Sequence, residues 1–232
     1  MVKVVFIDID NTLLSFSEFV KETMKAGFEK FGLKPYTEEM FHTFERVNNS
    51  LWRRLEQGEL NQTQIEAVRW DLVFEELGIE FDGITFEKYF KECMFVSAIP
   101  EPGAMEFLQY LASKYILCAA SNGPYVQQLN RLQVGEMYDF FKHYFISEKV
   151  GADKPSRAFF QYAFDELHQA GMTDLKPEET MIIGDSLTSD MAGGKGYGMQ
   201  TCFFTRGRKI DSKPENVDCV IENLMDIEQI LF

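Results

Sequence analysis

Hydrophobic positions follow two different patterns along the chain, and the change between them divides the sequence. Residues 4–7 are a short apolar run rich in β-branched side chains, which predicts a buried strand. Between residues 15 and 96, apolar side chains instead recur every three or four positions in four stretches. One stretch runs through Met40, Phe44 and Val47. This spacing predicts four amphipathic helices inserted directly after the first strand.

Capping residues predict where these inserted helices begin and end. Thr63 with Glu66 three positions later is a capping-box pattern, so we expect the third helix to begin there. Gly32, Gly58 and Gly78 follow the first three apolar stretches and are expected to close those helices. The aromatic side chains at helical spacing are expected to form the packed core of a helical bundle.

From about residue 100 onward, strand-like and helix-like segments alternate. The predicted strands span residues 115–120, 143–150, 180–185, 200–205 and about 219–221. A helix is expected to open at Pro155, in the favourable first helical position, and another helix should follow the last strand. Strands alternating with helices indicate a parallel, doubly wound sheet. The predicted fold is therefore an α/β Rossmann-like core of residues 1–14 and 97–232 with a helical bundle inserted at 15–96.

Charge and cysteine usage limit the classes of partner. Lys and Arg number 23 against 37 Asp and Glu, so the formal net charge is −14. Such an acidic chain is expected to bind neither nucleic acid nor membrane surfaces, and an anionic substrate would need local cations or a metal ion. The four cysteines show no C-x-x-C spacing. With neither a signal peptide nor a long apolar segment in the sequence, we expect a cytoplasmic protein.

Two aspartates stand at the end of the first predicted strand. Side chains alternate across a strand, so Asp8 and Asp10 point to the same side, where two like charges repel each other. Residues 10–12 could form a turn in which Asp10 caps a helix, but this leaves Asp8 unexplained. A hard cation such as Mg²⁺ would remove the repulsion. The pair therefore suggests a metal site.

Other predicted strands also end in polar groups. Residues 121–123 read Ser-Asn-Gly, Lys154 follows the third core strand, and Asp185 and Asp190 follow the fourth. Each has an ordinary alternative: a turn, a surface lysine, or a helix cap. Ligands of open α/β sheets bind beyond the carboxyl ends of the strands. The recurrence at successive strand ends favours one converging site.

Four motifs in order give the chain a family resemblance. They are DIDNT at residues 8–12, SN at 121–122, KP at 154–155 and GDSLTSD at 184–190. With these motifs the chain resembles the haloacid dehalogenase superfamily of hydrolases, in the form that carries an inserted helical (C1-type) cap. The resemblance covers the whole chain, and it implies that the cap supplies substrate specificity.

The resemblance implies a role for each motif residue. Asp8 would be the nucleophile that forms an aspartyl-phosphate, and Asp10 the general acid and then the general base. Ser121, with the backbone N–H of Asn122, would hold the phosphoryl oxygens, and Lys154 would add positive charge. Thr12 is expected to order the first loop beside this phosphate-binding part of the site.

The same resemblance implies Mg²⁺ as the cofactor. Its expected ligands are the Asp8 carboxylate, the backbone carbonyl of Asp10 and the carboxylate of Asp185. Asp190 and Ser186 are expected just outside these ligands, with Asp190 reaching the metal through water or holding Lys154.

The pattern also suggests a substrate class. A carboxylic acid two residues after the nucleophile suits phosphate esters, and the chain is most similar to bacterial pyrimidine 5′-nucleotidases. The expected substrate is a small phosphate monoester, namely a nucleoside monophosphate, acted on by a monomer or weak homodimer. Phe16, Phe41 and Trp52 could stack on a base, with core packing as the alternative. A sugar-phosphate phosphatase, a β-phosphoglucomutase-like phosphomutase and, more remotely, a non-catalytic binding module remain alternatives.

Overall fold

A six-stranded parallel sheet forms the centre of the molecule in a computed structural model that describes residues 1–231. The strands are β1 (Val4–Ile7), β2 (Ile116–Ser121), β3 (His143–Ile146), β4 (Thr180–Gly184), β5 (Gln200–Phe204) and β6 (Cys219–Ile221). Their order across the sheet is β3-β2-β1-β4-β5-β6, and all pairs are parallel. The predicted doubly wound parallel sheet is confirmed.

Helices account for most of the remaining structure. They are α1 (Phe16–Lys30), α2 (Glu38–Glu56), α3 (Gln62–Leu77), α4 (Gly83–Val96), α5 (Ala104–Ala112), α6 (Tyr125–Val134), α7 (Ser147–Val150), α8 (Arg157–Gln169) and α9 (Ala192–Tyr197). Within residues 1–231, none of them has both the length and the apolar character that crossing a membrane requires.

The chain forms two compact units. One comprises residues 16–97, and the other comprises residues 1–15 together with the described residues from 98 onward. Each boundary falls one residue after the position expected from the sequence. The first unit contains α1 to α4, and the second contains the sheet and the other helices.

The central strand β1 is apolar throughout because both of its faces are covered. All four of its residues are fully buried, and their side chains alternate between two hydrophobic clusters, one on each face of the sheet. Strands buried on both faces read as continuous apolar runs, which is why this segment lacks a polar face. A charged residue immediately after such a strand lies at the edge of a well-packed core.

The helical unit is held by an aromatic core. The Trp70 ring lies 4.3 Å from that of Phe86 and 5.0 Å from that of Phe44, centroid to centroid. Beside it, Arg69 and Glu87 form a buried ion pair with Nη2 and Oε1 2.6 Å apart. These aromatic residues therefore serve as packing of this unit.

The three candidate stacking residues differ in how far packing already covers them. Phe41 is buried, and the ring of Phe16 contacts the rings of Phe19, Phe44 and Phe90. Trp52 is only partly buried. The partly buried Trp52 leaves more of its side chain open to a ligand than the buried Phe41 does.

Three predicted element boundaries are wrong. Strand β3 ends at Ile146, because residues 147–150 form one helical turn closed by Gly151 at φ +78°. Pro155 lies in a turn before α8, and Ser156 caps that helix by accepting a hydrogen bond from the Phe159 N–H. Side-chain oxygens at the cap satisfy free N–H groups, so the helix begins after Ser156.

The third boundary is the start of α3. The helix is capped by Asn61 and Gln64, which exchange side-chain to backbone hydrogen bonds of 2.9 and 3.0 Å, and not by Thr63 and Glu66. The segment after β6 also differs from expectation, since Leu224–Gln229 is a 3-10 helix. Short terminal helices commonly take this tighter form.

Close contact between α9 and the sheet depends on one glycine. A methyl group on the Cα of Gly194 would lie 2.3 Å from the Cγ2 of Ile182 on β4. At Gly196, in the same helix, a methyl group would meet nothing within 4 Å. Only the first glycine is required for packing, although both lower the intrinsic helix propensity.

We expect Gly194→Ala to lower the free energy of unfolding by about 1–3 kcal/mol, because the added methyl overpacks the contact with β4. Gly196→Ala, the matched control, should raise it by up to about 1 kcal/mol through helix propensity. Urea unfolding followed by circular dichroism measures both variants. Equal effects of the two substitutions would contradict the close-packing argument.

Candidate active site

Three neighbouring strands bring the predicted site residues to one edge of the sheet. β1 lies between β2 and β4, so their carboxyl ends are adjacent. Asp8 follows β1, Ser121 ends β2, and Asp185 follows β4. The expected convergence of these groups is a direct result of the strand order.

A sharp turn after β1 shapes the first motif. Asn11 adopts φ +61°, and the carbonyl of Ile9 accepts hydrogen bonds from the N–H groups of Leu13 and Leu14, each at 2.9 Å. Within this turn, the hydroxyl of Thr12 donates to Asp8 Oδ2 at 3.3 Å. Residues 10–12 thus do form a turn, and the turn helps to fix the carboxylate of Asp8.

Lys154 is a buried ion-pair partner and not a surface lysine, since its side chain is 1% exposed. Its ammonium donates to Asp8 Oδ1 at 2.8 Å, to Asp190 Oδ1 at 2.6 Å and to the Ala120 carbonyl at 2.7 Å. All three protons of the ammonium therefore have acceptors. This residue connects the ends of β1 and β2 with the segment after β4.

Asn122 holds Lys154 in place through its side chain. Its amide nitrogen donates to the Lys154 carbonyl and its amide oxygen accepts from the Lys154 N–H, both at 2.8 Å. These two bonds anchor the loop after β3 to the end of β2. The Asn122 side chain therefore positions the lysine, whereas the family resemblance implies a role in phosphate binding for its backbone N–H.

Asp8, Asp185 and Asp190 form an acidic cluster in which carboxylate oxygens of all three lie within 4.8 Å of one another. Lys154 contributes one positive charge to this cluster, so the three carboxylates, when ionised, exceed it in negative charge. Burial, reinforced by Asp190 and opposed by Lys154, raises the pKa of Asp8 to about 7. Burial and the neighbouring carboxylates likewise raise the pKa of Asp185 well above its ordinary value.

For the ammonium of Lys154, the neighbouring charges affect the pKa more than burial does. Burial alone would lower its pKa, but the carboxylates of Asp190 and Asp8 outweigh burial, so the net pKa is raised. Lys154 therefore stays charged throughout the physiological range, and it is a fixed cation beside Asp8.

These residues fit a hard divalent cation. Carboxylate oxygens are the ligands that Mg²⁺ prefers, and three of them lie close enough here to surround one ion. A divalent charge would also balance the negative excess of the cluster. Both oxygens of Asp190 accept hydrogen bonds, from Lys154 and the Ser186 N–H, and both oxygens of Asp8 accept them from Lys154 and Thr12.

Asp190 and Ser186 support the site from the segment after β4. Asp190 accepts from Lys154 through Oδ1 and from the Ser186 N–H through Oδ2 at 3.2 Å. The Ser186 hydroxyl accepts from the Ser189 N–H and caps a π-helical turn, Leu187–Met191. A methyl group at Gly184 would lie 2.1 Å from Asp190 Oδ2, so only glycine fits there.

Two residues in contact with Asp10 were not predicted from the sequence. The Asp10 side chain is 30% exposed, and it binds Gln128 and Arg131, both buried on α6. Their spacing of three residues on the helix after Ser121 is a possible signal, because such residues lie on one helix face. No motif marked them, since the contact depends on how α6 packs beside the first loop.

Comparison with known proteins agrees with this geometry. A family model described as haloacid dehalogenase-like hydrolase matches residues 2–198. The HAD-hydrolase YfnB of Bacillus subtilis is 30% identical over 87% of this chain and 83% of its own. The crystal structure of YfnB bound to magnesium superposes with a TM-score of 0.87 at 28% identity, covering 99% of this chain and 98% of that one.

Two further relatives match over nearly their whole lengths. The pyrimidine 5′-nucleotidase YjjG of Escherichia coli is 28% identical over 98% of this chain and 96% of its own. The glyceraldehyde 3-phosphate phosphatase of Pyrococcus furiosus is 26% identical over 99% of this chain and 93% of its own. The sheet, the four motifs and the family match together show that this chain belongs to the haloacid dehalogenase-like hydrolase family.

Proposed function

We propose that this hydrolase is a phosphatase that transfers the phosphoryl group of a small phosphate monoester to Asp8 and then to water. The observation that carries the proposal is the carboxylate of Asp8, fixed by Lys154 and Thr12 within an acidic cluster. A nucleophilic carboxylate must be held in one orientation and kept close to positive charge when it approaches an anionic phosphate.

In the first step, an Asp8 oxygen forms a bond to phosphorus as the ester P–O bond breaks. Asp10 gives its proton to the leaving oxygen, which departs as an alcohol. In the second step, Asp10 takes a proton from water, the water oxygen bonds to phosphorus, and the bond to Asp8 breaks. Inorganic phosphate leaves, and both carboxyl groups return to their starting states.

Charge on the phosphate would be balanced by groups already in place. Lys154 lies beside Asp8, where its ammonium also attracts the phosphoryl oxygens. Ser121, at the end of β2, would donate its hydroxyl to the same oxygens, with the backbone N–H of Asn122 beside it. Thr12 keeps Asp8 oriented through its own hydrogen bond.

The acidic cluster is assigned to Mg²⁺. Asp8 and Asp185 would hold it through their carboxylates and Asp10 through its backbone carbonyl, while Asp190 holds Lys154. The ion, when bound, supplies positive charge that lets a carboxylate and a phosphate approach each other.

For the substrate, we propose a pyrimidine nucleoside monophosphate. The support is the match to a pyrimidine 5′-nucleotidase over nearly the full length of both chains. The glyceraldehyde 3-phosphate phosphatase relative favours a second candidate, a phosphorylated sugar or triose, at similar identity. We assign the selectivity between nucleotide and sugar phosphates to the helical unit of residues 16–97.

One assay tests both the nucleophile and the substrate class. We expect phosphate release with Mg²⁺ to be fastest from UMP, dUMP or dTMP in a panel that includes purine nucleotides and sugar phosphates. Asp8→Asn should lower kcat at least about 1000-fold, since it removes the attacking oxygen. Asp174→Asn, at an exposed site of the same unit, is the matched control and should leave the rate unchanged.

The results of this assay distinguish the reaction chemistry from the identity of the substrate. A sugar or triose phosphate preference that Asp8→Asn abolishes would keep the chemistry and change the substrate. Turnover that survives Asp8→Asn would contradict the assignment of the nucleophile.

Metal removal and pH should affect the stability of the protein together. Because the folded-state pKa of Asp8 lies above its ordinary value, the folded protein binds this proton more tightly than the unfolded chain does. In EDTA, this group therefore contributes stability at low pH that is lost as the pH rises from about 4 to about 7. Mg²⁺ competes with protons for the same carboxylates, so its stabilising effect should grow with pH.

Differential scanning calorimetry with and without Mg²⁺ measures this linkage. The increase in Tm on adding Mg²⁺ should be larger at about pH 8 than at about pH 5, and Asp185→Asn should reduce it at both. Asp174→Asn again serves as the charge-matched control. A magnesium effect on Tm that is independent of pH, or unchanged in Asp185→Asn, would count against the site.

A further inference from the structure

Asp10 is bound by two buried side chains from a single helix. Arg131 Nη1 donates to Asp10 Oδ1 at 2.6 Å, and Gln128 Nε2 donates to Asp10 Oδ2 at 2.7 Å. Both donors are 1% exposed. Each oxygen of the carboxylate therefore has its own donor, and rotation of the carboxylate would break both bonds.

The two donors also fix each other. Arg131 Nη1 donates to Gln128 Oε1 at 2.9 Å. Because the Gln128 carbonyl faces the guanidinium, its amide nitrogen must face the other way, toward Asp10 and Ser121. The charge of Arg131 thus determines the orientation of the neighbouring amide as well as that of Asp10.

The same amide extends the network to Ser121. Gln128 Nε2 donates to Ser121 Oγ at 2.8 Å, so that hydroxyl oxygen is an acceptor in this contact. A serine hydroxyl carries one proton, and an amide N–H cannot accept it. The Ser121 proton therefore points away from Gln128 and is available to another acceptor.

We propose that Arg131 and Gln128 are positioning residues that fix the Asp10 carboxylate for proton transfer and orient the Ser121 hydroxyl as a donor. This inference rests on the proposed function, because it assigns both residues to the chemistry at Asp10. Neither one touches Asp8 in the described contacts, so their effect is exerted through Asp10 and Ser121.

An ion pair with a purely structural role would have a different signature. Removing it would destabilise the fold and lower the rate for every substrate alike. When a general acid loses its correct position, the size of the decrease in rate instead depends on the leaving group. An alkoxide needs a proton in order to leave, whereas p-nitrophenolate leaves readily without one.

The experiment therefore compares kcat/KM for two esters, p-nitrophenyl phosphate and the best alkyl phosphate from the panel above. This constant reports the steps up to release of the alcohol or phenol. We expect Arg131→Met and Gln128→Leu to lower it about 100-fold for the alkyl ester. The loss for p-nitrophenyl phosphate should be about tenfold smaller.

Conservative and matched variants complete the design. Arg131→Lys keeps the charge and should recover part of the lost activity toward the alkyl ester. Gln133→Ala, at an exposed position of the same helix, should behave as wild type with both esters. If Arg131→Met does not fold, Gln128→Leu makes the same comparison without removing a charge.

The outcomes distinguish this inference from the proposed function. Equal losses on both esters, with an active wild type, would overturn the positioning role alone. A wild type that hydrolyses neither ester would overturn the phosphatase assignment and the inference with it. A larger loss on the alkyl ester, with partial recovery in Arg131→Lys, would support the inference.

Discussion

The buried ammonium of Lys154 is the interaction on which the site depends. Its three hydrogen bonds reach the residue after β1, the carbonyl of Ala120 on β2 and Asp190 after β4. An unpaired buried charge costs several kcal/mol, so these partners constrain one another strongly. The parallel sheet brings the strand ends together, and this cation then holds the carboxylates of Asp8 and Asp190 at that edge.

Each of the two aspartates of the first motif has its own cation. Asp8 pairs with Lys154, which follows β3, and Asp10 pairs with Arg131 on α6. Their repulsion is thus relieved by partners on two different elements as well as by any metal ion. Separate partners also allow the two carboxylates to have different chemical roles, because each one is oriented and charged by its own surroundings.

The sequence predicts those parts of this arrangement that depend on local pattern. The apolar run of β1 and the alternation of strands and helices predict the parallel sheet, which is confirmed. Local ambiguity explains the wrong boundaries, since residues 147–150 have strand-like spacing until Gly151 closes a helical turn. The bonds of Gln128 and Arg131 to Asp10 join residues more than 115 positions apart, and no local pattern encodes such contacts.

The position of β1 in the sheet also has a consequence for biosynthesis. Its partners β2 and β4 begin at residues 116 and 180, so the first strand emerges from the ribosome long before either neighbour exists. Helices α1 to α4, by contrast, make their contacts within 82 consecutive residues, 16–97. Local contacts form faster than distant ones. The surroundings of Asp8 are thus completed only after most of the polypeptide has been translated, and a chain that ends before residue 190 lacks part of the acidic cluster.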